Sequence, residues 1–308
     1  MFKPCLVTFF LLILALYFIS SLTIHVYKAK GKVKCRHCIL NITTSEKVLQ
    51  NNEHNFYRTL DERIEKMDAD PIQVLPDYRT PCWNESLTVP DPYPLGTHLY
   101  IRFFSKNTKV RRSFQQTFEK SIAIFKNRLK TRSNKWRLRC LPFFYLIGIN
   151  RGGSTSLWSS LISHPQLMGS GAAKELHYWD EVRYGAGLEE MGYGQYLALI
   201  RNDTIPRPIK SYVDLFDSVA ETLRSTHVMD RNGRKFHPIG IGEGSPNYLT
   251  DFGNWKVLEA NKGLSEPKYI LAHILKMLTP RVKIVVILRD PIERCPSGTL
   301  VYFLTPIF

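Results

Sequence analysis

Apolar positions are spread unevenly along the chain, and their pattern changes twice. Leu6–Leu22 is nearly all apolar, and Pro4–Tyr27 holds no Asp, Glu, Lys or Arg. A bilayer span needs about 20 such residues, so this run predicts a membrane-crossing helix. A cleaved signal peptide would have a shorter apolar core of about 7–15 residues ending in an A-x-A-like site, and no such site is present. Residues 28–139 are predominantly polar. Pro71, Pro76, Pro81, Pro90, Pro92 and Pro94 exclude long helices from their stretch, which reads as a stem. Within it Phe114, Phe118, Ile122, Phe125 and Leu129 recur at helical spacing, predicting one amphipathic helix.

From Cys140 onward short apolar runs alternate with helical periodicity. Phe143–Ile149, Ile239–Glu243 and Lys283–Leu288 predict buried strands, with a short one at Leu167-Met168. Ser154–Ser163, Ser211–Ser225 and Lys268–Leu278 predict helices. Such alternation implies an α/β fold, a parallel sheet flanked by helices. The expected domains are a short tip with membrane anchor at 1–27, a stem at 28–139 and an α/β domain at 140–308.

Charge adds a preference for anionic partners. The formal net charge is +15 over 308 residues, with 44% hydrophobic residues to build a core. The stem ends in a basic segment: Lys106, Lys109, Arg111, Arg112, Lys120, Lys126, Arg128, Lys130, Arg132, Lys135, Arg137 and Arg139, with Glu119 as its one acid. It reads either as a surface for a polyanionic glycan or as a solvated helix whose apolar stripe packs on the domain. Topology is open on charge alone. Lys28, Lys30, Lys32, Lys34 and Arg36 follow the span, which favours a cytoplasmic C-terminal part. The sequons Asn41-Ile42-Thr43, Asn84-Glu85-Ser86 and Asn202-Asp203-Thr204 favour a lumenal one. Cys35-Arg36-His37-Cys38 lacks a second ligand pair, so a stem disulfide or plain thiols fit it better than zinc.

The chemistry concentrates at Gly148-Ile149-Asn150-Arg151-Gly152-Gly153-Ser154-Thr155. A Gly-rich turn between a strand and a helix is an anion site, because the first helical N–H groups are unpaired and the dipole is positive there. Gly148 and Gly153 have the separation of the triphosphate pattern GxxxxGK[ST], but Ser154 stands where its Lys belongs. That opposes a nucleotide kinase, where this Lys reaches the terminal phosphates. Arg151, Gly152, Gly153, Ser154, Thr155 and Ser156 can instead hold a phosphosulfate. A second anion site follows the last strand, in Arg289-Asp290-Pro291-Ile292-Glu293-Arg294-Cys295-Pro296-Ser297. Arg289 falls at the carboxyl edge of the sheet, where open α/β folds bind ligands, and Arg289 and Ser297 could grip a second phosphate.

The two motifs in this order resemble the carbohydrate sulfotransferases that use 3'-phosphoadenosine 5'-phosphosulfate (PAPS). Arg137–Gly148, Lys174-Glu175-Leu176-His177-Tyr178-Trp179, Tyr212–Asp217, Gly242-Glu243-Gly244-Ser245 and Pro81-Cys82-Trp83 are similar to the group that sulfates N-acetylgalactosamine 4-sulfate at O6. The resemblance covers roughly residues 80–300. It implies a sulfotransferase fold, C-terminally incomplete because the family continues past Phe308. It implies PAPS as donor without a metal, a chondroitin or dermatan sulfate acceptor, and no nucleic acid partner. It implies a single-pass type II Golgi protein held by its N-terminal helix, with the catalytic part lumenal.

The resemblance also distributes roles. Glu175 is the expected base for the acceptor hydroxyl, and Arg151 the cation for the departing phosphate. Lys174 and His177 position sulfate or sugar, and Ser245 approaches donor or acceptor. Arg151 stands where the family usually has Lys, Leu176 where it has Pro, and Pro296 directly precedes Ser297. The alternative is a non-catalytic membrane-anchored relative that binds glycan or nucleotide. Oligomeric state is not readable from the sequence.

Overall fold

The computed structural model describes residues 46–89, 91–93, 98–103, 108–131, 135–184, 206–249 and 255–290. The Leu6–Leu22 run, the Cys35–Cys38 pair, the sequons at Asn41 and Asn202, and Ser297 lie outside them. The described residues belong to one unit that begins at Thr44. Among them no helix is long and apolar enough to cross a membrane.

The segment expected to be a stem is, where described, part of this globular unit. Helix α1 (Glu46–Lys66) buries Tyr57, Leu60 and Ile64, spaced along one face of an otherwise polar helix. Strand β1 (Cys82–Ser86) follows the Pro-rich stretch, then α2 (Leu99–Phe103) and α3 (Thr108–Lys130). In α3 the predicted stripe is real: Phe114, Phe118 and Phe125 are fully buried. Strand β2 (Trp136–Cys140) returns antiparallel to β1 with Cys82 opposite Cys140, and a disulfide joins the two. Closing a loop of 58 residues stabilises the fold by about 4 kcal/mol. The disulfide thus crosses the expected boundary at residue 139.

Two buried ion networks fasten this part to the rest. Arg183 is fully buried and donates to Asp61 (2.6 Å) and Glu65 (2.8 Å) of α1. Arg139 on β2 donates to Asp217 (2.7 Å to each oxygen) and Asp214 (2.7 Å), while Arg137 pairs with Glu85 of β1. The sequence places Arg137 and Arg139 in the basic segment that reads as a glycan surface or a solvated helix. They face inward because the strand's buried side meets carboxylates from far along the chain.

The second half follows the predicted alternation closely. Strand β3 (Phe144–Gly148) is buried throughout and leads into α4 (Ser154–Ile162), followed by β4 (Leu167–Met168) and a π-helical turn at Tyr178–Val182. The helix expected over Ser211–Ser225 is divided into α5 (Ile209–Val213), a 3-10 turn at Asp214–Phe216, and α6 (Asp217–Ser225). In a 3-10 turn residues three apart eclipse, which brings Asp214 and Asp217 to one side, toward Arg139. A small hairpin, β5 (Val228–Met229) with β6 (Lys235–Phe236), precedes β7 (Gly240–Glu243). Helix α7 (Leu271–Leu278) and β8 (Lys283–Ile287) complete the described chain. The strands run parallel in the order β4-β7-β3-β8, so β3 and β8 end side by side, Gly148 opposite Ile287.

Candidate active site

The loop after β3 is shaped by its neighbour strand. A Cβ on Gly148 would lie 2.2 Å from the Ile287 carbonyl oxygen, so only glycine lets the two strands end this close together. The Ile149 N–H donates to that same oxygen (3.3 Å), and the Gly152 N–H turns back to the Ile149 carbonyl (3.0 Å). Arg151 (φ 65°) and Gly153 (φ 96°) both take left-handed backbone, a strained choice for arginine. Helix α4 then starts with no side-chain cap. Ser154 is buried, Thr155 and Ser156 are exposed, and the first-turn N–H groups head an anion site at the carboxyl edge of the sheet.

Arg289 emerges from β8 beside this loop, and its Nη1 lies 3.5 Å from the Arg151 carbonyl oxygen. Both guanidinium-bearing residues are exposed. The two motifs, separated by more than a hundred residues, thus share one edge. Gly152 and Gly153 form the bend between them.

The segment after β4 reaches the same helix start. Lys174 Nζ donates to Ser154 Oγ (3.1 Å) and to Glu175 Oε1 (2.6 Å). The other Glu175 oxygen lies 3.4 Å from His177 Nε2, and His177 Nδ1 meets Asp180 Oδ2 at 2.9 Å. A continuous row therefore runs Ser154–Lys174–Glu175–His177–Asp180. Asp180 is buried and fixes the imidazole, while Glu175 is 38% exposed at the open end. Partial burial raises the Glu175 pKa, but hydrogen bonds to His177 and Lys174 outweigh it and hold the carboxyl below its usual range. It is ionised at neutral pH, with Lys174 on one oxygen and His177 beside the other. His177 itself takes left-handed backbone (φ 50°) just before the π turn, strain of a kind that gathers at functional sites.

Ser245 was expected to approach donor or acceptor. The structure places it one layer lower, fully buried. Its Oγ accepts the N–H groups of Leu176 (3.0 Å) and His177 (3.1 Å) and donates to Glu243 Oε1 (2.6 Å). The Tyr212 hydroxyl donates to the other Glu243 oxygen, and Tyr248 accepts the Tyr178 N–H (3.0 Å). Burial pushes the Glu243 carboxyl up to about 7, against the hydrogen bonds it accepts. This layer is what holds the strained segment in place. Asp180 was missed by the sequence reading, although its spacing of three from His177 fits one helical turn. Nothing local marks Tyr248, whose partner lies in another segment.

These residues fit a phosphosulfate group: an uncapped helix start, a glycine-limited approach, and cations from two motifs converging on it. No protein-family model matches the chain. Curated relatives do. The mouse and human proteins named Carbohydrate sulfotransferase 15 are each 32% identical to it, over 240 and 242 residues, which is 76% of this chain. The rat protein of that name is also 32% identical, over 240 residues. In each case the match spans 39% of the relative's length. With the loop, its neighbouring arginine and the Lys174–His177 segment gathered at one sheet edge, the chain belongs to the carbohydrate sulfotransferase family.

Proposed function

We propose that this protein transfers a sulfo group from PAPS to a hydroxyl of a glycosaminoglycan, at O6 of N-acetylgalactosamine 4-sulfate in chondroitin or dermatan sulfate. One observation carries the reading: Lys174 joins the anion-binding helix start at Ser154 to the carboxylate of Glu175. A donor-binding loop and a base thereby stand within one side chain's reach, as in-line transfer requires. The donor supplies the sulfo group and a phosphate leaving group. Arg151, Gly152, Gly153, Ser154, Thr155 and Ser156 would hold its 5' end, and Arg289 with Ser297 its 3'-phosphate. Glu175 takes the proton of the acceptor hydroxyl. Lys174 and Arg151 balance the negative charge that grows on the leaving oxygen. His177, oriented by Asp180, keeps Glu175 aimed.

The proposal includes a type II topology with the folded part in the Golgi lumen and the Leu6–Leu22 run as anchor. The Cys82–Cys140 disulfide supports an oxidising compartment, and Asn84 is exposed as a glycan acceptor must be. The test uses labelled PAPS and chondroitin 4-sulfate with the full chain. Label should enter the polymer, and Glu175→Gln should slow it by about 10²–10³-fold. Binding of chondroitin sulfate without binding of 3'-phosphoadenosine 5'-phosphate (PAP) would replace this reading with the non-catalytic one. A glycosidase-sensitive mass shift lost in Asn84→Gln tests the lumenal placement.

A further inference from the structure

Helix α3 buries one face completely and leaves the opposite face basic. Lys109, Arg112, Lys120, Lys126 and Lys130 are exposed along it, against the single acid Glu119. None of these five cations forms an ion pair among the described residues, whereas the off-face Arg128 is paired with Glu221. A helix needing only solubility is served by mixed charges and i,i+4 pairs. Here one sign runs for most of 23 residues, about 35 Å of helix.

The location of this face is the second observation. Ser113 Oγ donates to the Ala172 carbonyl at 2.6 Å, clamping the first turns of α3 to the loop that continues directly into Lys174 and Glu175. Beside that clamp is a depression of about 350 Å³ lined by Lys109, Arg112, Ser113 and Gln116. The basic face therefore begins on the turns clamped to the loop that leads into Lys174 and extends away from there along the helix.

We infer that the exposed face of α3 is a binding track for an acidic polysaccharide, which holds the anionic groups of sugars flanking the one presented to Glu175. The inference rests on the proposed transfer function for its choice of polymer. A linear chain with an anionic group on successive sugars matches a linear row of cations, and multivalent contact multiplies modest single affinities. Long exposed side chains such as lysine suit carboxylates and sulfates in several registers, because they act as flexible point charges. A polymer held there would slide past the site without leaving it.

The experiment measures affinity of the full chain for chondroitin sulfate at about 0.15 M salt, with duplex DNA and phosphatidylserine vesicles as rival polyanions. Lys109→Ala/Arg112→Ala should weaken chondroitin sulfate binding about five- to tenfold and flatten its salt dependence, with an unchanged melting temperature. Lys120→Ala/Lys126→Ala should weaken it to a similar degree, since the track extends along the helix. Unchanged affinity in both double variants overturns the inference, as does tighter binding of DNA or vesicles than of the polysaccharide. PAP binding, measured separately by calorimetry, keeps the two readings apart. A chain that ignores PAP yet loses polysaccharide affinity in the variants retains the track and loses the transferase reading. One that binds PAP and transfers sulfate with polymer affinity unaltered in the variants does the reverse.

Discussion

Two pairs of arginines show how burial and partners divide structure from function in this molecule. Arg137 and Arg139 lie fully buried on β2, encircled by Glu85, Asp214, Asp217 and the Tyr57 hydroxyl. Arg151 and Arg289 lie exposed at the end of the sheet, and the contact between them uses a backbone carbonyl, not a carboxylate. The first pair is enclosed by the protein's own carboxylates and out of reach of a ligand. The second lies at the surface beside an uncapped helix start, the position at which the proposed donor would be met. The same residue type thus serves as an internal fastener in one place and, in the proposed function, as a receptor in the other.

The largest expected effect breaks the buried pair. Arg139→Ala leaves Asp214 and Asp217 buried without their main counter-charge, so denaturant unfolding should show a loss of about 3–5 kcal/mol. A loss below about 1 kcal/mol would mean the cluster behaves like a surface ion pair. Arg151→Ala should do the opposite. The proposed sulfate transfer from PAPS should fall about 10²–10³-fold, with stability within about 0.5 kcal/mol of the parent. A melting shift as large as that of Arg139→Ala would erase the distinction.

A third outcome concerns the layer beneath the exposed pair. Glu243 keeps its proton up to about 7 in the fold, against an ordinary value of 4.5. Between these values the folded chain binds the extra proton. The associated stabilisation is therefore complete below about pH 4.5 and is lost as pH rises toward 7, by about 3 kcal/mol in all. Glu243→Gln should flatten that slope in pH-dependent unfolding, and an unaltered slope would contradict the assignment. The smallest effect is expected from Ser245→Ala, which removes the acceptor for two buried N–H groups. It should cost about 1–2 kcal/mol of stability and shift the imidazole NMR resonances of His177. Unmoved resonances would show that the segment holds itself.

Legibility followed the range of the interactions. The β3–loop–α4 unit could be read from its residues because the signals that mark it are local. The apolar run, the glycines and the helical spacing all lie within twenty positions. The same holds for the apolar stripe of α3, from Phe114 to Phe125. The packing of the described part of 46–139 into the globular unit is not legible, for the converse reason. Its polar helix α1 has few apolar residues, and its fate depends on Arg183, Asp61 and Glu65 meeting across more than a hundred positions. Arg139 looked like one more solvated cation because its carboxylates are in a helix 75 and 78 residues away.

The sequence by itself determined the Gly-rich loop between strand and helix, the alternation that makes a parallel sheet, and the identity of the groups able to carry charge and protons. Those depend on backbone preference and side-chain chemistry, which travel with each residue. Only the tertiary structure decided which cations would be used up inside and which left outside. It also turned Lys174, Glu175, His177 and Asp180 into one connected row and made Ser245 their support. Burial and ion pairing are properties of residues brought together, and no window of sequence contains both partners.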